Sequence, residues 1–404
     1  MSDSKSRDRQ QFPTYDVGGW VHWPEHEVES AHLKRLLGDA QEGASFVSEC
    51  FLAASKILPG DDESWLNEWR GLAHNIAMRA HLSTAKGHFT TSRSEWLRAV
   101  NYFRTAAAFL DPRDSRLAEL CGLAESSATS FVELLRPFGE FVEIPFGNRM
   151  LRGYFIRSPG APAKSPAVLA IGHGRDTKED LLVRFQSHAI ARGLSLLVVD
   201  LPSNAVWFLG EDGVPGDSLQ DALRCCLDYL LSRDDIDRGR IALLGDGLGG
   251  SDATRAAATD SRWSAVVCDA GFWDELQLQY AKGSLQDRDA NVERINDIML
   301  GARIKCPCLV LIGEDDYAEV KELVSLYERC RARGVPIELK LFSGEETGAA
   351  HRQIDNPTLG RHFIFDWLKE RLLIGESEGC LDPTFGLLKE VVADLQIVNP
   401  SRST

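Results

Sequence analysis

From about residue 26 to 136, apolar side chains recur at intervals of three and four: Leu33, Leu36 and Leu37; Phe46, Cys50 and Phe51; Trp65, Trp69 and Leu72; Trp96, Val100 and Phe103; Leu117, Leu120 and Leu123. That spacing gathers each group on one face of a helix, and no alternating stretch interrupts it, so this part of the chain is expected to be helical throughout. Within it, "LDPRDSRL" (110–117) carries a proline followed by Asp114 and Ser115, which reads as a helix stop and then an N-cap.

The period then changes. "EFVEIPF" (140–146) and "RMLRGYFIRS" (149–158) flank Gly147-Asn148, a hairpin signal. Beyond the linker "PGAPAKSP" come short runs rich in leucine and β-branched residues: "AVLAIG" (167–172), "LSLLVVD" (194–200), "RIALLG" (240–245), "SAVVCDAG" (264–271), "CLVLIG" (308–313) and "IELKLFS" (337–343). Helical segments are expected between and after them, near 178–192, 218–232, 248–259, 317–333 and 358–373. Such alternation implies a doubly wound, mostly parallel sheet that binds ligands at the carboxyl ends of its strands. The expected division is a flexible arm over 1–20, a helical cap domain over 21–137, an α/β core over 138–375 and a C-terminal extension over 376–404.

The chemistry centres on "LLGDGLGG" (243–250). A G-x-S-x-G elbow turns a strand sharply into a helix and lifts a nucleophile to its apex. Here Gly245, Gly247 and Gly249 fall at that spacing, and the apex residue, Gly247, has no side chain. "LIGEDDYAE" follows the strand at 308–313, and "SGEETGAAHRQ" follows the strand at 337–343. Elbow, acid and histidine thus arrive in the order of an α/β-hydrolase triad, with Asp316 to orient the imidazole and His351 as base. "AIGHGRDTKEDL" follows the first long parallel strand, where that fold places an oxyanion-hole N–H; Gly174 and Leu248 are the candidate backbone donors, with His173 beside them. Trp273, with Phe272, would sit at a strand's carboxyl end and line a pocket, or else pack the core beneath the cap.

Asp246 has two readings. As a nucleophile it would need the elbow to slip by one residue, because Gly247 and Leu248 both separate it from the paired glycines. The preferred reading is a carboxylate held behind the turn by nearby backbone. Ser251 sits a turn into the following helix, where a hydroxyl is usually structural, and Asp252 complements the helix dipole. His88 is expected to pack within the cap; Tyr102 and Arg104 are candidate pocket residues on a cap helix, with a solvated helix face the preferred reading.

"AKGHFTTSRSEWLRAVNYFRTAAAFLDPRDSR", "VEIPFGNRMLRGYF", the G-x-x-x-x-TKE pattern at 172–179 and "EETGAAHRQ" together resemble the α/β-hydrolase group that contains 2,6-dihydroxypseudooxynicotine hydrolase and the fungal polyketide-shortening hydrolases of pigment biosynthesis. The likeness runs over roughly residues 80–373. It implies an α/β-hydrolase core beneath a helical cap, a homodimer, and cleavage of carbon–carbon bonds next to a ketone. Gly247 departs from the resemblance, standing where that group carries its nucleophilic serine.

Charge and composition narrow the field. Sixty acidic against 45 basic residues give a formal net charge of −15, which argues against a nucleic-acid or anionic-membrane partner. No apolar run approaches the roughly 18 residues that span a bilayer, and "MSDSKSRDRQQFPTYD" lacks the apolar core of a signal peptide, so a cytoplasmic location is expected. Nine cysteines without metal-like spacing read as free thiols. The expected activity is cofactor-independent acid–base and oxyanion-hole catalysis on a carbonyl-bearing, aromatic or polyketide-like small molecule, by C–C cleavage, elimination, decarboxylation or cyclisation. Two alternatives stay open: a silent hydrolase fold that binds a ligand or partner, and a C–C or ester hydrolase whose serine was deliberately replaced or that uses Asp246 as nucleophile.

Overall fold

The computed structural model describes residues 22–172, 174–202, 216–270, 303–316 and 320–374. His173 and Trp273, the arm at 1–20 and the extension at 376–404 lie outside the described residues.

Five helices come first: α1 (Glu27–Asp39), α2 (Val47–Ala54), α3 (Asp62–Ala85), α4 (Phe89–Ala106) and α5 (Ser115–Glu133). Asp61 caps α3 by accepting from the N–H groups of Glu63 and Ser64, and Asp114 caps α5 by accepting from that of Arg116. Helix α4 is the middle of this layer and is enclosed by α3, α5 and α6 (Lys178–Ala191). Enclosure overrides its expected polar face. Tyr102 is fully buried and donates to Glu49 Oε2 at 2.7 Å, and Arg104 is held by Asp180 of α6. His88, expected to pack, is exposed at the start of α4.

The sheet follows: β1 (Gly139–Phe146), β2 (Arg149–Ile156), β3 (Ser165–Ile171), β4 (Ser195–Val199), β5 (Ile236–Asp246), β6 (Ala265–Asp269), β7 (Cys308–Gly313) and β8 (Ile337–Phe342). Their order is β1-β2-β4-β3-β5-β6-β7-β8; β1 pairs antiparallel with β2 and β2 with β4, and the remaining pairs are parallel. Gly147 turns the first hairpin at φ 59°. Helices α7 (Gly216–Ser232), α8 (Gly249–Thr259), α9 (Val320–Ala332) and α10 (Pro357–Lys369) complete the core.

Strand alternation divides the interior in two. Val168, Ala170, Val198, Leu244 and Val267 face α6, α10 and the five N-terminal helices; Leu169, Ile171, Val199, Leu243 and Val266 face α7, α8 and α9. The first face has no separate core, because its cluster runs unbroken into Trp65, Trp69 and Phe103 of the helical layer. Polar ties reinforce the join. Arg104 donates to Asp180 Oδ2 at 2.8 and 3.0 Å and to the Arg175 carbonyl at 2.8 Å, while Arg175 donates back to the Leu110 carbonyl at 2.7 Å. Glu42 accepts from Ser187 at 2.8 Å and Thr358 at 2.9 Å. The chain leaves β3 for β4 on one side and β5 on the other, so the crevice beyond their carboxyl ends is where a ligand site belongs.

Candidate active site

The elbow is built as the glycine spacing predicts. A Cβ on Gly245 would collide with the carbonyl oxygen of Gly249, so the turn from β5 into α8 closes this tightly only around glycine. Gly247 sits at the apex with φ 58°, and its N–H donates to the Asp269 carbonyl at 2.9 Å. Leu248 opens α8, where the first N–H groups of a helix have no partner within it. Gly174 takes φ 64° in the loop after β3.

Asp316 and His351 meet. Asp316, just past β7, has a fully buried side chain, and its Oδ1 is 2.9 Å from His351 Nδ1. With Nδ1–H donated to this carboxylate, the other ring nitrogen, Nε2, carries the lone pair a general base needs.

The space above the apex is taken by a residue that the sequence reading did not single out. An added Cβ on Gly247 would lie 3.3 Å from Cδ, 3.4 Å from Nε and 3.6 Å from Cζ of Arg352. Arg352 reaches there because it and Gln353 both adopt left-handed backbone, at φ 57° and 47°, immediately after His351. Its guanidinium clamps Asp246: Nε donates to Oδ1 at 2.8 Å and Nη2 to Oδ2 at 2.6 Å. Arg184 of α6 also donates to Asp246 Oδ2, and to Asp176 Oδ1 at 2.7 Å. Asp176 Oδ2 lies 3.3 Å from Arg352 Nη2, which closes a cluster of two carboxylates and two guanidiniums. Burial opposes ionisation of Asp246, but Arg352 and Arg184 outweigh it and hold the carboxyl well below its usual range. Asp246 therefore stands behind the apex with guanidinium partners, where backbone partners were expected.

Its neighbour across the sheet behaves in the opposite way. Asp269 ends β6 opposite Asp246, and burial, followed by the negative charge of Asp246, raises its carboxyl to about 7. The enclosing cavity measures about 210 Å³. Asp246, Asp269, His351, Arg352 and Gln353 line it from the core, and Val28, Ala31, His32 and Arg35 of α1 form its roof. Burial holds the roof histidine, His32, down at about 4 and hence neutral at ordinary pH. Ser251 is buried in the first turn of α8 and is not among the cavity-lining residues. Among the described residues no group of His, Cys, Asp and Glu has metal-holding geometry, no helix is long and apolar enough to cross a membrane, and all eight cysteines are free thiols.

Comparison with known proteins shows the family. Hydrolase LUC6 of Fusarium sp is 30% identical over 409 residues, covering 85% of this chain and 96% of that protein. The chain belongs to the α/β-hydrolase family. The model of the prolyl oligopeptidase family matches residues 213–373, the part that contains the elbow, Asp316 and His351. Alpha/beta hydrolase ucsC of Acremonium sp is 29% identical over 297 residues, covering 67% of this chain and 59% of the relative. The 20-hydroxy-prefusarin hydrolase FUS2 of Gibberella moniliformis is 27% identical over 245 residues, 58% of each chain. This α/β-hydrolase thus spans about 60% of the length of several fungal relatives and nearly all of LUC6. Among solved structures, the 2,6-dihydroxy-pseudo-oxynicotine hydrolase shares the fold, with a TM-score of 0.68 at 22% identity over 85% of this chain and 96% of that one.

Proposed function

We propose that this α/β-hydrolase-family protein is a cofactor-independent enzyme that processes a carbonyl-bearing, aromatic or polyketide-like small molecule by acid–base catalysis, with no covalent acyl-enzyme. One observation carries the reading: the apex is glycine, and the Arg352 guanidinium fills the space into which a nucleophile would project, while the His351–Asp316 pair is intact. In this scheme His351 removes a proton beside the carbonyl. Backbone N–H groups at Leu248 and Gly174, with Arg352 next to them, bind the enolate oxygen that develops. Asp246 acts through Arg352, whose planar group it holds against the apex. Elimination and aldol-type cyclisation form this enolate by that proton transfer; in retro-aldol cleavage His351 would instead take the β-hydroxyl proton, and in decarboxylation loss of CO2 leaves the enolate to be protonated. A homodimer belongs to the same proposal, from the family resemblance.

The test is turnover of a panel of aryl ketones and 1,3-dicarbonyl compounds by protein pretreated with a serine-directed fluorophosphonate. Activity should survive with no adduct on the intact protein. Inhibition with a stoichiometric adduct at Ser251 would return the protein to covalent chemistry. A wild type inert across the panel favours a second reading, a ligand-binding hydrolase fold, to which the guanidinium occupying the apex also lends itself.

A further inference from the structure

Three polar atoms of cavity-lining residues make no hydrogen bond of ordinary geometry among the described residues, although each residue is more than nine-tenths buried: Asp269 Oδ1, Gln353 Nε2 and Arg361 Nη1. Leaving a buried polar group without a partner is costly, and more so for a charge, so three around one cavity call for a ligand. All three line the cavity.

Their surroundings fix them in place. Arg361 of α10 gives Nη2 to Asp39 Oδ1 at 3.2 Å, while its Nη1 stands 3.8 Å from Glu42 Oε1, beyond hydrogen-bond reach. A Cβ on Gly360 would collide with Gln353 Oε1, so glycine next to Arg361 makes room for that carbamoyl group. The carbamoyl oxygen therefore rests on α10, and the amide nitrogen, its remaining polar atom, is near enough to Asp269 to favour that carboxyl's ionised form.

Gln353 Nε2 and Arg361 Nη1 can only donate, and Asp269 donates when it carries its proton. Three donors exceed the two lone pairs of a ketone oxygen and suit the four of a carboxylate. We propose that Asp269, Gln353 and Arg361 form a carboxylate-binding subsite, and that the substrate class is an oxo acid whose carbonyl faces His351 while its carboxylate docks here. This inference rests on the cavity being the substrate site. Among the described residues, the titratable and charged groups that line the cavity with Asp269 are Asp246, Arg184, His351, Arg352 and Arg361 from the core and His32 and Arg35 from α1; Arg352, Arg361 and the Gln353 amide favour its ionised form, against burial and Asp246. Because Asp269 must be protonated to donate, carboxylate binding takes up a proton at pH above about 7 and weakens as pH rises.

Titration calorimetry with acetate, benzoate, 3-benzoylpropanoate and the methyl ester of the last tests this without turnover. At pH 6 the acid should bind about tenfold or more tighter than its ester, the scale of one charge-assisted hydrogen bond. Arg361→Met should bring acid and ester to similar affinity. Since that change also takes one cation from Asp39, the isosteric Asp269→Asn is the second variant: its amide donates at every pH, so acid affinity should hold from pH 6 to 8.5 while the wild type weakens about thirtyfold. Equal affinity for acid and ester, no binding of any carboxylate at millimolar concentration, or a pH profile unchanged in Asp269→Asn would overturn the subsite. A protein that prefers the acid but turns nothing over keeps the subsite and loses the enzyme reading; one that turns over ketones and ignores carboxylates does the reverse.

Discussion

Arg352 and Gly247 share one space: the side chain of the first lies 3.3–3.6 Å from where a side chain on the second would begin. The contact sets a cation against an elbow apex that carries no side chain.

Gly247→Ser therefore meets two obstacles, a left-handed backbone and the Arg352 stem. A cost of about 1–2 kcal/mol is expected in urea unfolding. The new serine should stay unlabelled by fluorophosphonate, because the guanidinium lies against it. Adding Arg352→Ala should recover labelling by clearing the space. Prompt labelling of the single variant would show that Arg352 moves aside freely.

His351→Ala should lower turnover by about two to four orders of magnitude, the usual scale for a general base, with the circular dichroism spectrum unchanged. Asp316→Asn should act in the same direction through loss of the fixed tautomer. A fully active His351→Ala enzyme would remove His351 from the chemistry.

Arg184→Met strips one cation from Asp246 and Asp176, leaving buried negative charge poorly compensated. A loss of about 3–5 kcal/mol in denaturant unfolding is expected, in line with breaking other buried ion pairs. A loss near zero would mean that water reaches the cluster and solvates it.

Asp269 gives the pH dependence of stability an unusual sign. Its folded value of about 7 lies above the unfolded value of about 4, so between these the native state holds more protons than the unfolded one and stability falls as pH rises. Asp269→Asn should remove that component: the stability difference between variant and wild type should grow from pH 4 to pH 7 and level off above. Parallel curves for the two proteins would place the Asp269 carboxyl near its ordinary value.

Much of this was legible in the chain. The run "CLVLIG" is the strand Cys308–Gly313, and the helix expected near 358–373 spans Pro357–Lys369, because hydrophobic period survives whatever the element packs against. The Asp316–His351 pair was legible for a related reason: strand ends in a parallel sheet converge on one edge. Tyr102 and Arg104 were misjudged, since period alone cannot say that α4 is surrounded. Asp176 and Arg184, Asp246, and Arg352 come from three separate stretches, and no local spacing announces a cluster whose members meet only after folding. The adjacency of Arg352 to His351, opposite an elbow without a side chain, was the one available hint.

The two left-handed residues after His351 have an evolutionary corollary. His351, Arg352 and Gln353 are consecutive, yet the turn aims them at the buried acid Asp316, the elbow apex and the α10 wall in succession. Their roles are encoded as a reading frame. Gain or loss of one residue inside this turn would break all three assignments at once, whereas a change of length in the loop before it can be absorbed there, so drift can retune each side chain where it stands but cannot pull the set apart.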